Sequence, residues 1–236
     1  MAEYFKKPSE VVAVFRELGA KLNKNCESAL GTEQSELHKA EIKARAFMEV
    51  GHILSECEDI TLTQKECICV FEEIFGDTIC SLYFAACALD KPAQMLLRRV
   101  LELGVAVVYL WDLPHKYWGW KCHDEDLAFR EMLDHLTAES YLTFTAKTNP
   151  NFIDTHLLDV GSVRKIYGEL SDVTHGKVAT FESVSPDRYN FTSADWQKHL
   201  SLTNSVQDIL LKLWSNRFKA IAEQLPDVMP QLSKLT

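Results

Sequence analysis

Arg164, Ser171, Asp172 and His175 are the residues whose types and spacing point most directly to chemistry. They lie in the run 163–176, which reads as a helix. At about 100° per residue, Arg164, Gly168, Ser171 and His175 fall within roughly a 60° sector, with Asp172 on its flank. One stripe therefore carries a cation, a gap, a hydroxyl and an imidazole, edged by a carboxylate. The imidazole stands in the last turn, where the helix dipole favours its protonated form. A histidine placed there can donate a proton at neutral pH, as general acid–base catalysis requires. A purely structural capping network, with His175 bonded to a carbonyl, accounts for the same residues equally well.

The elements that must hold this stripe are legible around it. Asp159 or Ser162 can cap the start by accepting bonds from backbone N–H groups without helical partners. Gly176 can end the helix, and Ile166, Leu170 and Val173 recur at the spacing of a core-facing side. Upstream, a helix over 92–112 is the longest apolar one and reads as central, with Pro92 suited to its first turn. Arg98, Arg99 and Glu102 interrupt its surface. An ion pair within the helix satisfies the arginines; an RNA-facing role is the alternative. Residues 111–123 read as a loop rich in aromatic side chains. Bases stack on rings such as Trp118, and Lys116 and Lys121 can reach phosphates, while a hydrophobic lid over the bundle end is the commoner use of such a segment.

The stretch Tyr167–Gly176 resembles the signature of HEPN-like all-helical proteins of bacterial defence and toxin–antitoxin type. Their pattern runs Tyr-Arg-Glu-Leu-Ser-Asp-aromatic-x-His-Gly. This chain keeps Tyr167, Glu169, Leu170, Ser171, Asp172, His175 and Gly176. The segment Leu96–Glu102 resembles the Arg-rich, Glu-bearing first helix of that group, so the resemblance covers roughly residues 60–215. One departure matters: Gly168 stands where the ribonuclease motif has Arg. Arg164 shares the face, yet its backbone lies about 16 Å from that of His175 at 1.5 Å per residue. Arg98 or Arg99, or Arg164 across a dimer, would have to replace the missing guanidinium.

Composition narrows the remaining choices. The 236 residues are 47% hydrophobic, with only 9 Gly and 7 Pro, which disfavours a β-sandwich or barrel. A formal charge of −9 excludes a uniformly basic nucleic-acid coat but permits a local cationic cleft. The 7 Cys form no Cys-x-x-Cys pair and sit mostly among apolar neighbours. They read as reduced core thiols of a cytoplasmic protein. The first residues carry no apolar run of a secretory signal, and the run 100–113 is too short to span a membrane. No Gly-rich phosphate loop, His-Glu-x-x-His pattern or Gly-x-Ser-x-Gly elbow is present. His115, Cys122 and His123 match no standard zinc spacing, so no metal or other cofactor is expected.

Periodicity predicts an all-α antiparallel bundle of about seven to eight helices, with the resemblance implying a HEPN-like core. Helices are expected over 9–29 and 33–57, paired as a hairpin (residues 1–60) that packs on or extends a bundle formed by 61–236. A capping box at Thr63 and Glu66 starts the next helix, with a break at Gly76-Asp77. Residues 78–89 read as buried nearly all round. A helix capped by Asp124 runs over 124–147 and ends at Asn149-Pro150. Ser185-Pro186-Asp187 reads as a turn, and Ser193 caps a last helix over 194–223, with Pro226 and Pro230 in the tail.

The resemblance implies a metal-independent endoribonuclease acting in antiphage defence or toxin–antitoxin systems, or a degenerate RNA-binding relative. In it, two protomers bring both copies of His175 to one cleft. His175 moves a proton, arginines stabilise phosphate charge, and Ser171 and Asp172 orient the imidazole. The competing expectation is a non-catalytic sensor or partner subunit of a defence complex, docking through the aromatic segment. Gly168 and the acidic surface favour that alternative.

Overall fold

The long apolar run becomes the axis of the structure, a computed structural model that describes residues 8–152, 156–175 and 189–234. Among the described residues there are eleven α-helices, a closing 3-10 turn and no strand. In chain order they are α1 (Pro8–Leu30), α2 (Gln34–Ser55), α3 (Leu62–Cys67), α4 (Cys69–Ala86), α5 (Asp90–Asp112) and α6 (Pro114–Lys121). There follow α7 (Phe129–Leu136), α8 (Glu139–Thr148), α9 (Val160–Thr174), α10 (Ser193–Arg217) and α11 (Lys219–Val228).

Every residue from Val105 to Trp111 is buried. A helix apolar on all sides must be covered on all sides. Helices α4, α7, α9 and α10 do this for α5, with α3 and α6 at its C-terminal end. Gly104 sets how closely α10 approaches, because a Cβ there would collide with Leu210. At the same level, Trp214 Nε1 donates to the Gly104 carbonyl at 2.9 Å. Its ring meets Phe47 and Phe71 edge-on, at centroid distances of 4.9 and 5.0 Å. One indole thus joins α2, α4, α5 and α10, and α2 places Phe47, Val50, Ile53 and Leu54 in the same core. Burying a ring of about 200 Å² contributes roughly 5 kcal/mol before entropy is counted.

A charged cluster closes the C-terminal end of α5. Arg217 binds Asp112 through both Nη2 and Nε, the latter at 2.7 Å, and the Tyr141 hydroxyl donates to the same carboxylate. Both charged side chains are only 9% exposed. Each is tolerable inside because the other is there.

Several boundaries differ from the sequence expectation, and these differences raise the helix count. The capping box is Thr61 with Gln64, not Thr63 with Glu66: Thr61 Oγ1 accepts from Gln64 N, and Gln64 Oε1 accepts from Thr61 N. Glu66 is left to bind Tyr117 and Lys121. Gly76 does not break α4. One mid-helix glycine costs about 1 kcal/mol, and the packing of α4 on α5 offsets it. Asp77 pairs with Arg99 across the helices rather than capping anything. Residues 78–86 are not buried all round, since Ile79, Cys80 and Tyr83 are exposed. Residues 114–121 are helical, with Pro114 in the first turn.

The helix expected over 124–147 starts at Phe129 and splits at Thr137–Ala138 into α7 and α8; the Asp124 N–H instead bonds the Gly119 carbonyl after α6. Thr192, not Ser193, caps α10, which breaks at Phe218, and Pro226 lies inside α11. Helix α1 rests on α4 instead of pairing along α2: Asn25 donates to the carbonyls of Cys87 and Tyr189. Val12, Val14 and Phe15 of α1 are exposed. Of the free cysteines, Cys67 and Cys87 are core residues, whereas Cys69, Cys80 and Cys122 are exposed. The expected stop at Gly176 and turn at Ser185-Pro186-Asp187 lie outside the described residues. No helix among the described residues is long and apolar enough to cross a membrane.

Candidate functional site at the α5–α9 seam

Helix α9 begins at Asp159, whose carboxylate accepts from the N–H groups of Gly161 and Ser162 and from the Ser162 hydroxyl. Of the two possible caps, Asp159 is the one used. Val163 and Leu170 are buried, while Ile166 and Val173 are half-buried. This side lays α9 on α5 and brings together the two segments that carry the HEPN resemblance.

Tyr167 makes the junction. Its hydroxyl accepts from Arg98 Nη2 at 2.8 Å and donates to Glu102 Oε1 at 2.9 Å. Arg98 Nε also donates to that oxygen, at 3.0 Å, closing a three-membered network across the seam. The tyrosine ring stacks on Phe129 with centroids 4.0 Å apart, and the Arg98 guanidinium lies over it. Burial first, then the bond to Glu102, raises the phenol pKa, so Tyr167 stays protonated and bridges the two side chains. The intrahelical pair anticipated for Arg98 is present. Arg99 instead binds Glu73 and Asp77 of α4.

His175 ends α9. Its backbone N–H bonds the Ser171 carbonyl at 2.9 Å, and the residue is exposed. The imidazole is therefore not shut inside the bundle. Ser171 Oγ is buried and has no hydrogen-bond partner, so no bond runs from it to the imidazole. Asp172 is half-buried on the flank of the stripe. Arg164 is exposed and reaches Asp134 of α7 at 3.4 Å. Gly168 faces open space, with nothing within 4 Å of where a Cβ would stand.

The aromatic segment divides into separate roles. Tyr117 is buried and donates to Glu66 at 2.8 Å, serving as the plug of the bundle end. Trp118 is 40% exposed, its Nε1 donating to Thr63 Oγ1. The Lys121 ammonium lies 5.0 Å over the Trp118 ring and pairs with Glu66. Lys121 first and Tyr117 second hold the Glu66 carboxyl below its ordinary range. Lys116 bridges Glu125 and Glu131 at 2.9 and 3.4 Å. Among the described residues no three His, Cys, Asp or Glu side chains gather where a metal would sit.

A second polar cluster lies outside every motif. The Ser81 hydroxyl donates to the Ala93 carbonyl at 2.7 Å and stands 3.1 Å from His199 Nε2. The serine proton being engaged, the ring nitrogen is the donor of that pair, which fixes the imidazole in its neutral Nε2–H form. Ser81 is wholly buried, so the pair joins α4, α5 and α10 and offers no nucleophile. Its sequence signal was faint: a lone His on an apolar face and a Ser beside Cys80. Comparison with family models, with characterised proteins and with solved structures finds nothing that matches this chain.

Proposed function

We propose that this chain is a non-cleaving helical interaction module of HEPN-like type, serving as a sensor or partner subunit in a bacterial defence or toxin–antitoxin complex. The observation that carries this reading is the commitment of the five cations that the sequence offered for contact with RNA. Arg98, Arg99, Lys116, Lys121 and Arg164 each hold at least one carboxylate. A phosphate approaching any of them competes with that carboxylate, and Gly168 leaves no guanidinium on the His175 face near the end of α9. Trp118, 40% exposed beneath the Lys121 ammonium, is the docking residue in this reading. Charge reversal at Lys116 and Lys121 tests that placement, since partner binding should then change. The decisive experiment incubates the full chain with structured and single-stranded RNA in the presence of chelator. No cleavage is expected; cleavage that a His175→Ala variant loses would overturn the proposal.

A metal-independent endoribonuclease is the second reading, and the exposure of His175 at the end of α9 favours it. Two α9 helices packed about a twofold axis would then bring two imidazoles to one groove. Exposed pairs such as Arg164–Asp134 are worth about 0–1 kcal/mol each, so they can open for a phosphate. The same cleavage assay separates the readings.

A further inference from the structure

Helices α9 and α10 both lie on α5 but touch each other only sparsely. Between them runs an open trough of about 380 Å³. Its floor is Ile166 and Leu202, each half-buried against the core. Its walls carry Lys165, Glu169, Lys198 and Ser201. Lys198 spans the trough to Glu169 at 2.9 Å. Lys165, one turn earlier on α9, is exposed and takes part in no ion pair among the described residues. The lining is thus net cationic in a chain of charge −9.

We infer that this trough is a docking groove for an acidic amphipathic helix of a partner protein. Each wall runs for two helical turns, about 10 Å, which is the contact length of a short helix laid across two splayed ones. Apolar residues of such a helix at i, i+3, i+4 and i+7 cover Ile166 and Leu202, and flanking carboxylates meet Lys165 and compete for Lys198. Against the chain's net charge of −9, the local excess of lysine adds selectivity to attraction. This inference rests on the interaction-module reading and adds to Trp118 a second surface, with the chemistry of what it holds.

The test uses the full chain and a fluorescent amphipathic peptide of about 14 residues, long enough to form a helix, with Glu flanking its apolar stripe. A second peptide carries Lys at the same places. Anisotropy should show saturable binding of the acidic peptide alone, weakened about tenfold by Lys165→Glu, a change at an exposed position. Leu202→Ser should weaken it further while the circular dichroism spectrum is retained. Equal binding of both peptides, or unchanged affinity in Lys165→Glu, overturns the inference. Displacement of the acidic peptide by an oligoribonucleotide assigns the trough to RNA and overturns it too. Failure here with no RNA cleavage leaves the interaction-module reading standing on another surface, whereas His175-dependent cleavage removes that reading whatever the peptide does.

Discussion

Lowering the pH from 7 to 5 should weaken this protein chiefly through one buried ring, His199. The residue is 5% exposed, and burial pushes its pKa down from 6.5 to about 4. Unfolded, the imidazole takes up a proton near pH 6.5; folded, it stays neutral until about pH 4. Between these values the unfolded chain binds the extra proton, so stability falls as pH falls. The loss is on the order of 2 kcal/mol at pH 5 and 3 kcal/mol once both states are protonated. The groups that face the ring are the Ser81 hydroxyl and, around the same small cavity, Asp90, Gln94, Asp195 and Lys198. Asp90 acts in the opposite sense, because burial first and the Asp195 charge second raise its carboxyl pKa. His135, lowered by burial, acts in the same sense as His199.

A His199→Gln variant isolates the ring, since its amide nitrogen can still donate to Ser81 while Asp90 and His135 remain. Urea unfolding followed by circular dichroism at pH 7 and pH 5 measures the difference. The wild-type chain should lose about 2 kcal/mol more than the variant on acidification. An equal loss in both would refute the assignment of the acid sensitivity to His199.

Removing either half of the buried pair, by Asp112→Asn or Arg217→Met, should cost about 3–5 kcal/mol in the same unfolding assay. The paired replacement Asp112→Leu/Arg217→Met should recover much of that loss, because no lone charge stays inside. Gly104→Ala should cost about 1–3 kcal/mol by driving α10 off α5, seen as a lower melting temperature and weaker near-ultraviolet circular dichroism from Trp214. Gly168→Arg should stabilise α9 by about 0.8 kcal/mol, as a helix-interior glycine is lost and nothing crowds the site. On the proposed reading it raises the melting temperature without creating RNA cleavage; cleavage gained would favour the ribonuclease reading. Ser171→Ala should be neutral or stabilising by up to about 1 kcal/mol, since the hydroxyl it removes is buried and unbonded.

Strong periodicity made α2, α5 and α9 readable to within a few residues, because their cores are set by local spacing; α1 matched in length although Val12, Val14 and Phe15 are exposed, and α10 was legible at its start but not at its break at Phe218. Helix ends decided by tertiary bonds were not readable. Thr63 and Glu66 match a capping box as well as Thr61 and Gln64 do, and only the engagement of Glu66 by Tyr117 and Lys121 distinguishes them. Gly76 looked like a break because propensity speaks for the isolated helix, whereas α5 holds α4 continuous. At the site, the helical stripe placed Arg164 and His175 on one face of α9. It was silent on which carboxylate each cation would choose. Asp134 and Glu73 are brought to their partners by packing between helices, and Glu125 by the chain reversal after α6, so no spacing within one helix announces them. His199 was invisible for the same reason: its partner Ser81 lies 118 residues away in sequence.

The contact of Gly104 with Leu210 and Trp214 carries a consequence for how the chain leaves the ribosome. Roughly 100 residues separate α5 from the helix that covers it, which at 5–20 residues per second is about 5–20 s of synthesis. Throughout that interval the greasiest surface of the nascent protein has no lasting partner on that side. Chaperone occupancy should therefore peak on ribosomes stalled between α5 and α10, and chains truncated before Trp214 should accumulate in inclusion bodies.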